Sequence, residues 1–238
     1  MKAVILTAGR GSRFSPVSEY VPKEMLPIGS QPILGAVIKE AYKSVDDVIV
    51  VTNPKKKPII EYIKNHWKGD VKLVYQRKPK GHTNAICKAR KYIQYQDFEV
   101  MLGDTILLDK RASWKLHDAH THNEVNTVVG ISEQKKDTNK YGVVEGKWNN
   151  TYYEIDNIKE KPHKAKTNLV LNGRYILNYR HLRMMMNNPD LHLTEVINHY
   201  NRKLIPVLGV KLDNFFDVGT PDRYYEALSF YNKMRYKI

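Results

Sequence analysis

Two cations and a run of glycines near the amino end carry the first chemistry. Leu6-Thr7-Ala8-Gly9-Arg10-Gly11-Ser12-Arg13-Phe14 is followed by Val21-Pro22-Lys23-Glu24-Met25-Leu26-Pro27. A glycine turn lets backbone N–H groups approach a polyphosphate with no Cβ in the way. Arg13 can fork onto phosphate oxygens and Lys23 can set a point charge on them, so the stretch reads as a site for a phosphate-bearing substrate. Two carboxylates stand far apart in the chain but in similar settings. Asp104 ends the apolar run Val100-Met101-Leu102-Gly103, and Asp217 follows Phe215-Phe216 and precedes Val218-Gly219-Thr220-Pro221. Each is open to two readings, a turn residue or a ligand.

The elements that must place these groups follow from periodicity. Ala3 to Leu6 reads as a short buried strand feeding the glycine loop. Beyond Pro32, Ile33, Leu34, Val37, Ile38, Ala41 and Tyr42 repeat at helical spacing. Asp47 to Thr52 is a β-branched strand, Ile59 to Trp67 a helix, Val71 to Tyr75 a strand, Thr83 to Tyr95 a helix, and Phe98 to Leu102 a strand ending at Asp104. Strands alternating with helices imply βαβ crossovers: an α/β fold with a Rossmann-like, mixed, mostly parallel sheet and helices on both faces. Functional groups then belong at the carboxyl ends of the strands, where both the glycine loop and Asp104 fall. The second half changes texture. Val125–Ser132, Tyr141–Glu145 and Tyr152–Lys159 read as strands, with Asn149-Asn150 turning between the last two. Helices follow near Tyr179–Asn187 and Leu193–Arg202, then a strand over Ile205–Leu212 and a terminal helix from Pro221 to about Met234. With no linker or repeat, residues 1–238 read as a single domain whose texture divides it into two halves, about 1–110 and about 111–238.

Composition narrows the classes. Hydrophobic residues make up 42% and charged residues 27%, as in an ordinary soluble globular protein. The single cysteine, Cys87, excludes an internal disulfide framework and suits a reducing compartment. No leader pattern and no membrane-length apolar run is seen, so the expected location is cytoplasmic, with no membrane partner. The net charge of +14 raises the question of nucleic acid. No helix-turn-helix, zinc-finger spacing or RNP-like aromatic motif accompanies it, so no specific nucleic-acid partner is expected and the excess charge suits phosphate substrates.

Two familiar glycine motifs do not fit the opening loop. It lacks the Gly-Lys-Ser/Thr of a P-loop, and Phe14 stands where the dinucleotide fingerprint needs its third glycine. The loop instead resembles the signature of the sugar nucleotidyltransferases (nucleoside-diphosphate-sugar pyrophosphorylases), and Pro22–Ile28 looks most like the bacterial UDP-glucose pyrophosphorylases. Lys159-Glu160-Lys161-Pro162, Tyr141-Gly142-Val143-Val144 and Thr167-Asn168-Leu169 extend the likeness along the whole chain. The resemblance implies the nucleotide-diphospho-sugar transferase fold and a reaction in which a nucleoside triphosphate and a sugar 1-phosphate give a nucleoside diphosphate-sugar and pyrophosphate. It gives Arg13 and Lys23 catalytic roles and places Leu6, Ala8, Gly9, Gly11, Gln76 and Gly81 on the nucleotide. Gly142, Glu160, Lys161 and Asn168 fall to the sugar phosphate, and Asp104 and Asp217 to one Mg²⁺.

The Gln76 amide offers a donor and an acceptor to a uracil edge. Relatives that transfer uridylyl groups tend to read Gly-Leu-Gly-His-Ala where this chain has Gly81-His82-Thr83-Asn84-Ala85, and the insertion many of them carry before this segment is missing. UTP and glucose 1-phosphate are the favoured substrates. dTTP-dependent glucose-1-phosphate thymidylyl transfer and UDP-N-acetylglucosamine synthesis stay open, as do a non-catalytic nucleotide-sugar binder and a basic nucleic-acid binder. A homo-oligomer is compatible with all of these. His117, Asp118, His120 and His122 read as a polar helix surface, Cys87 as core and Met184–Met186 as packing.

Overall fold

The computed structural model describes residues 1–15, 17–201, 206–213 and 215–235. Its first half alternates as the periodicity requires. Strand β1 (Lys2–Leu6) leads into the short helix α1 (Val17–Tyr20) and the two-residue strands β2 (Pro27–Ile28) and β3 (Gln31–Pro32). Then come α2 (Ile33–Ala41), β4 (Asp47–Thr52), α3 (Lys57–His66), β5 (Val71–Tyr75), α4 (Gly81–Lys88), α5 (Arg90–Ile93), β6 (Phe98–Leu102) and β7 (Thr105–Leu107). The second half runs α6 (Ala112–Asn123), β8 (Thr127–Glu133), β9 (Gly142–Asn149), β10 (Tyr152–Glu160), β11 (Leu169–Leu177), α7 (Tyr179–Asn187), α8 (Leu193–Asn201), β12 (Val207–Lys211), β13 (Phe215–Asp217) and α9 (Pro221–Arg235).

Among the described residues, nine strands form one sheet in the order β5-β4-β1-β6-β11-β8-β12-β10-β9. β1 pairs in parallel with both β4 and β6, and β4 with β5. β11 is antiparallel to β6 and to β8, β12 is parallel to β8, and β10 is antiparallel to β12 and β9. Following these ladders across the sheet, only β11 and β10 run against the rest, so the sheet is mixed and mostly parallel in strand direction. β1 is covered on both faces, which is why Ala3–Leu6 is a continuous apolar run rather than an alternating one. Val4 and Leu6 pack on one face with Ile86 and Ile93 of α4 and α5, in the cluster that also holds Leu182 of α7 and Val196 of α8. Ala3 and Ile5 pack on the other with Leu34 and Ile38 of α2, Ile59 of α3 and Ala227 of α9.

Three elements differ from the sequence reading. The helix expected over Thr83–Tyr95 is two: α4 ends at Lys88, and α5 stops where Gln94 takes φ 60°. Between Tyr152–Lys159 and the helix near Tyr179, where the sequence reading assigns no element, lies the long strand β11, whose register slips between Leu171 and Tyr175 around Gly173 at φ 82°. The three-residue strands β7 and β13, too short for any periodicity, pair with each other. Arg202 and Ile205, named at the ends of two expected elements, lie outside the described residues.

Candidate active site

The carboxyl ends of β1, β5 and β6 open onto one cleft of about 490 Å³. At the end of β1 the chain is pinned before it turns: the Thr7 N–H and hydroxyl both donate to the Val51 carbonyl, at 2.9 and 3.0 Å. The Thr7 carbonyl accepts from Lys56 Nζ at 2.7 Å. That ammonium also sits 2.9 and 3.0 Å from the two carboxylate oxygens of Glu24, which is 2% exposed. Burial raises the Glu24 pKa, and Lys56 opposes the rise. Lys56 therefore ties the root of the glycine loop to the turn bearing Lys23, a brace between residues far apart in sequence. Gly103 closes the same corner. Its N–H donates to the Leu6 carbonyl at 3.0 Å, and a Cβ there would meet Thr7 Cγ2 at 2.5 Å and that carbonyl oxygen at 3.0 Å.

Lys23 donates to Asp104 Oδ2 in a tight ion pair. Burial draws the Lys23 ammonium down, but Asp104, Glu24 and Asp217 together outweigh it and its pKa stands above the usual lysine value. Burial pushes Asp104 up, and Lys23 overcomes that and holds it below the carboxylate range. Asp217 is delivered beside this pair by the antiparallel β7–β13 ladder, which sets Asp217 opposite Thr105, and by the Val218 N–H, which donates to the Asp104 carbonyl at 2.9 Å. Burial first and the Asp104 charge second raise the Asp217 pKa. Arg223 Nη1 donates to Asp217 Oδ2 at 2.6 Å. The bare backbone of Gly219 admits the Arg13 guanidinium beside this carboxylate: a Cβ there would stand 2.8 Å from Arg13 Nη2 and 3.1 Å from Asp217 Oδ1.

Two desolvated carboxylates whose charges oppose each other suit a hard divalent cation. Among the described residues no group of three or more acidic, histidine or cysteine side chains is arranged to cage a metal. A cation that takes few protein oxygens and fills its remaining positions with phosphate and water matches that donor set.

Gln76, 2% exposed, lies after β5. Its Nε2 donates to the Gly81 carbonyl at 3.1 Å and to Asn84 Oδ1 at 3.0 Å. Both donors are thus spent inside the protein, and the amide presents Oε1, an acceptor, to the cleft. The sequence had offered either group. His82, in the first turn of α4, stands exposed in the same cleft. Crowding by the cleft walls desolvates its imidazolium and lowers its pKa, against the pull of Asp104 and Glu160.

The far wall comes from β9 and β10. The Lys161 N–H donates to the Tyr141 carbonyl at 3.0 Å, with Lys161 at φ 42°, and its Nζ lies 3.6 Å from Glu160 Oε1. Thr194 Oγ1 stands 3.5 Å from Glu160 Oε2. The Tyr141 ring packs edge-on against Phe215, and burial pushes its pKa up to about 12.

The cleft thus gathers Leu6, Ala8, Gly9, Arg13, Lys23, Gln76, Gly81, Asp104, Gly142, Glu160, Lys161 and Asp217. Gly11 and Asn168 do not line it. Gly11 opens the turn Ser12–Phe14 at φ 70°, and exposed Asn168 accepts from the Gln134 N–H at 2.8 Å. Glu24, Lys56, His82 and Arg223 were not singled out by the sequence. Lys56 and Arg223 meet the site through contacts that no local pattern announces. His117 and His120 are pinned separately to Glu99 and Asp97, at 3.1 and 3.0 Å, and Cys87 is buried. Met185 is fully buried, while Met186 is 45% exposed.

Over residues 2–234 the chain matches the family model described as nucleotidyl transferase. It is 31% identical over 252 residues to a UTP–glucose-1-phosphate uridylyltransferase of Staphylococcus epidermidis, an alignment spanning 92% of this chain and 87% of that one. It is also 31% identical over 227 residues to the bifunctional protein GlmU of Methanocaldococcus jannaschii, covering 93% of this chain and 52% of that protein. Among solved structures it is similar to UDP-glucose pyrophosphorylase complexed with UDP-glucose, with a TM-score of 0.86, 26% identity and 98% of each chain covered.

Proposed function

The chain belongs to the nucleotidyl transferase family, and from that premise we propose that it joins a nucleoside triphosphate to a sugar 1-phosphate, releasing pyrophosphate and a nucleoside diphosphate-sugar. UTP and glucose 1-phosphate are the favoured pair, as in the uridylyltransferase it resembles. One observation carries the reading: Lys23–Asp104 and Asp217 meet in a single cleft between the Gln76 amide on one wall and Glu160–Lys161 on the other. A phosphate oxygen of the sugar 1-phosphate attacks the α-phosphorus of the triphosphate. The bond from that phosphorus to the β-phosphate oxygen breaks, and pyrophosphate departs with the electron pair. No protein nucleophile is required, so positioning and neutralisation of charge supply the rate.

In this reading Arg13 and Lys23 hold the triphosphate, with Lys23 placed where negative charge grows on the leaving group. Lys161 holds the sugar phosphate, and Glu160 accepts from sugar hydroxyls. Gly9 leaves its backbone N–H free to face phosphate, and Gly11, off the cleft, lets the loop turn at φ 70°. Asn168, set away from the cleft, reaches the sugar only if its loop closes over it. Asp104 and Asp217 would hold Mg²⁺, which when bound supplies neutralisation of the two approaching anions. Gln76 Oε1 pairs with the N3–H of a 2,4-dioxopyrimidine. Cytosine presents a bare N3, and two acceptors would then face each other in a buried site. The same oxygen serves thymine, so dTTP is the nearest competitor, and glucose and N-acetylglucosamine 1-phosphates are the sugars to separate.

The continuous sheet supports residues 1–238 as one unit, with the nucleotide on the first half and the sugar on the second. The reading includes a cytoplasmic location, consistent with the free buried Cys87, and no membrane or specific nucleic-acid partner. A homo-oligomer is compatible with it. The test is a pyrophosphate-release assay over a matrix of nucleoside triphosphates and sugar 1-phosphates. Turnover should be confined to UTP and dTTP, with UTP ahead by about tenfold. Robust turnover with ATP or GTP would remove Gln76 from the base-reading role.

A further inference from the structure

Arg223 is bonded directly to one of the carboxylates assigned to the metal, and the reaction just proposed does not use it. It sits in the first turn of α9, with its side chain 13% exposed, and its guanidinium is committed in three directions. Nη1 donates to Asp217 Oδ2 at 2.6 Å, Nη2 lies 3.9 Å from Asp137 Oδ2, and the guanidinium carbon stands 5.0 Å from the centre of the Tyr141 ring. Asp104 is matched in the same way by Lys23. Each carboxylate assigned to the metal is therefore already bonded to a protein cation before any ligand arrives. A divalent ion entering between them has to meet these cations as well as the carboxylates.

We propose that Arg223 is a resident counter-ion of Asp217, a positioning residue that holds affinity for a free divalent cation low and makes metal binding depend on the incoming triphosphate. The inference rests on the reading of Asp104 and Asp217 as metal ligands. The physical argument is one of exchange. With Arg223 in place, a metal ion gains Asp217 either by displacing Arg223 from Oδ2 or by taking Oδ1 with a cation held at short range, and both routes weaken its binding. A metal that arrives coordinated to phosphates brings anions for Arg13 and Lys23, so the positive charge gathered at the site is offset by the ligand itself. Because Arg223 also contacts Asp137 and Tyr141, its hold on Asp217 is shared with the segment at the mouth of the sugar half.

The test uses Mn²⁺, which accepts the same oxygen donors, with free ion counted by its paramagnetic resonance signal in nucleotide-free full-length protein. Arg223→Gln should bind Mn²⁺ about tenfold more tightly than the unmutated protein, whereas Arg223→Lys, which keeps the charge, should stay within about threefold of it. Damage to the fold would weaken binding, so the direction separates the proposal from a structural role. Arg223→Met repeats the measurement should glutamine lower the melting temperature below that of the assay. Affinity unchanged or weakened in the neutral variant overturns the proposal while leaving the metal assignment standing. Should Asp217→Asn and Asp104→Asn bind Mn²⁺ as tightly as the unmutated protein, the metal assignment fails and the proposal with it.

Discussion

Replacing Arg174 with methionine should cost about 4 kcal/mol of stability and should also remove most of the activity, although Arg174 touches no part of the cleft's chemistry. The side chain is fully buried. Its Nε and Nη2 meet the two Glu40 oxygens at 2.9 and 2.7 Å, and Nη2 also donates to the Thr105 carbonyl at 3.0 Å. Nη1 reaches the carbonyls of Leu102 and Gly173 at 3.4 and 3.3 Å. Leu102 and Thr105 bracket Asp104, so one guanidinium fixes the segment that presents the carboxylate. Removing it strands a Glu40 carboxylate that is only 12% exposed and takes the guanidinium donor away from the Thr105 carbonyl. Breaking a buried pair in this way costs about 3–5 kcal/mol. In a chain this long that corresponds to a fall in Tm of roughly 10 °C.

The double variant Arg174→Met with Glu40→Leu should recover much of the stability, because two apolar groups replace the whole pair. It should not recover activity, since Leu102–Thr105 has lost its brace and a shift near 1 Å costs about a hundredfold in rate. Urea unfolding and pyrophosphate release on the same samples decide the matter. A loss below about 1 kcal/mol in the single variant would refute the energetic argument. Activity that returns together with stability in the double variant would refute the positioning argument.

Three further outcomes follow from the geometry. Asp104→Asn and Asp217→Asn should each reduce kcat by on the order of 10³-fold, with the double variant little worse, and chelation by EDTA should abolish turnover until Mg²⁺ is restored. Lys23→Ala should lower kcat more than it raises the KM for triphosphate, whereas Lys161→Ala should raise the KM for sugar 1-phosphate first; steady-state kinetics in both substrates separates the two. His181, fully buried between Thr127 and Asn178, has its pKa pulled down by burial from 6.5 to about 4. The unfolded chain takes up this proton first, so the stability is complete above pH 6.5 and is lost as pH falls toward 4, by about 2 kcal/mol between pH 7 and 5 in urea titrations.

The parts legible in the sequence are those governed by local rules. The spans of β4, β5, β6 and α7 were read as they stand, because β-branched runs and helical spacing are visible within a few residues. Asp104 and Asp217 could be found as carboxylates ending apolar strands, and the family likeness joined them. The pairing that brings them together could not, since β7 and β13 have three residues each and meet across more than a hundred positions. β11 was hidden by its own contents: Gly173 at φ 82° and the buried charge of Arg174 interrupt an otherwise apolar strand. The tie from Lys56 to Glu24 and Thr7, the bond from Arg223 to Asp217, and the spending of both Gln76 donors on Gly81 and Asn84 all depend on side chains meeting across the fold. No spacing in the chain encodes them.

The most direct test of the central claim is the phosphorus NMR spectrum of the protein incubated with UTP, glucose 1-phosphate and Mg²⁺. Attack by the sugar phosphate on the α-phosphorus gives UDP-sugar and pyrophosphate in equal amounts as both substrates fall, and this is the expected spectrum. UDP and inorganic phosphate appearing instead, with glucose 1-phosphate untouched, would place the cleavage at the γ-phosphate and contradict the assignment of the cleft.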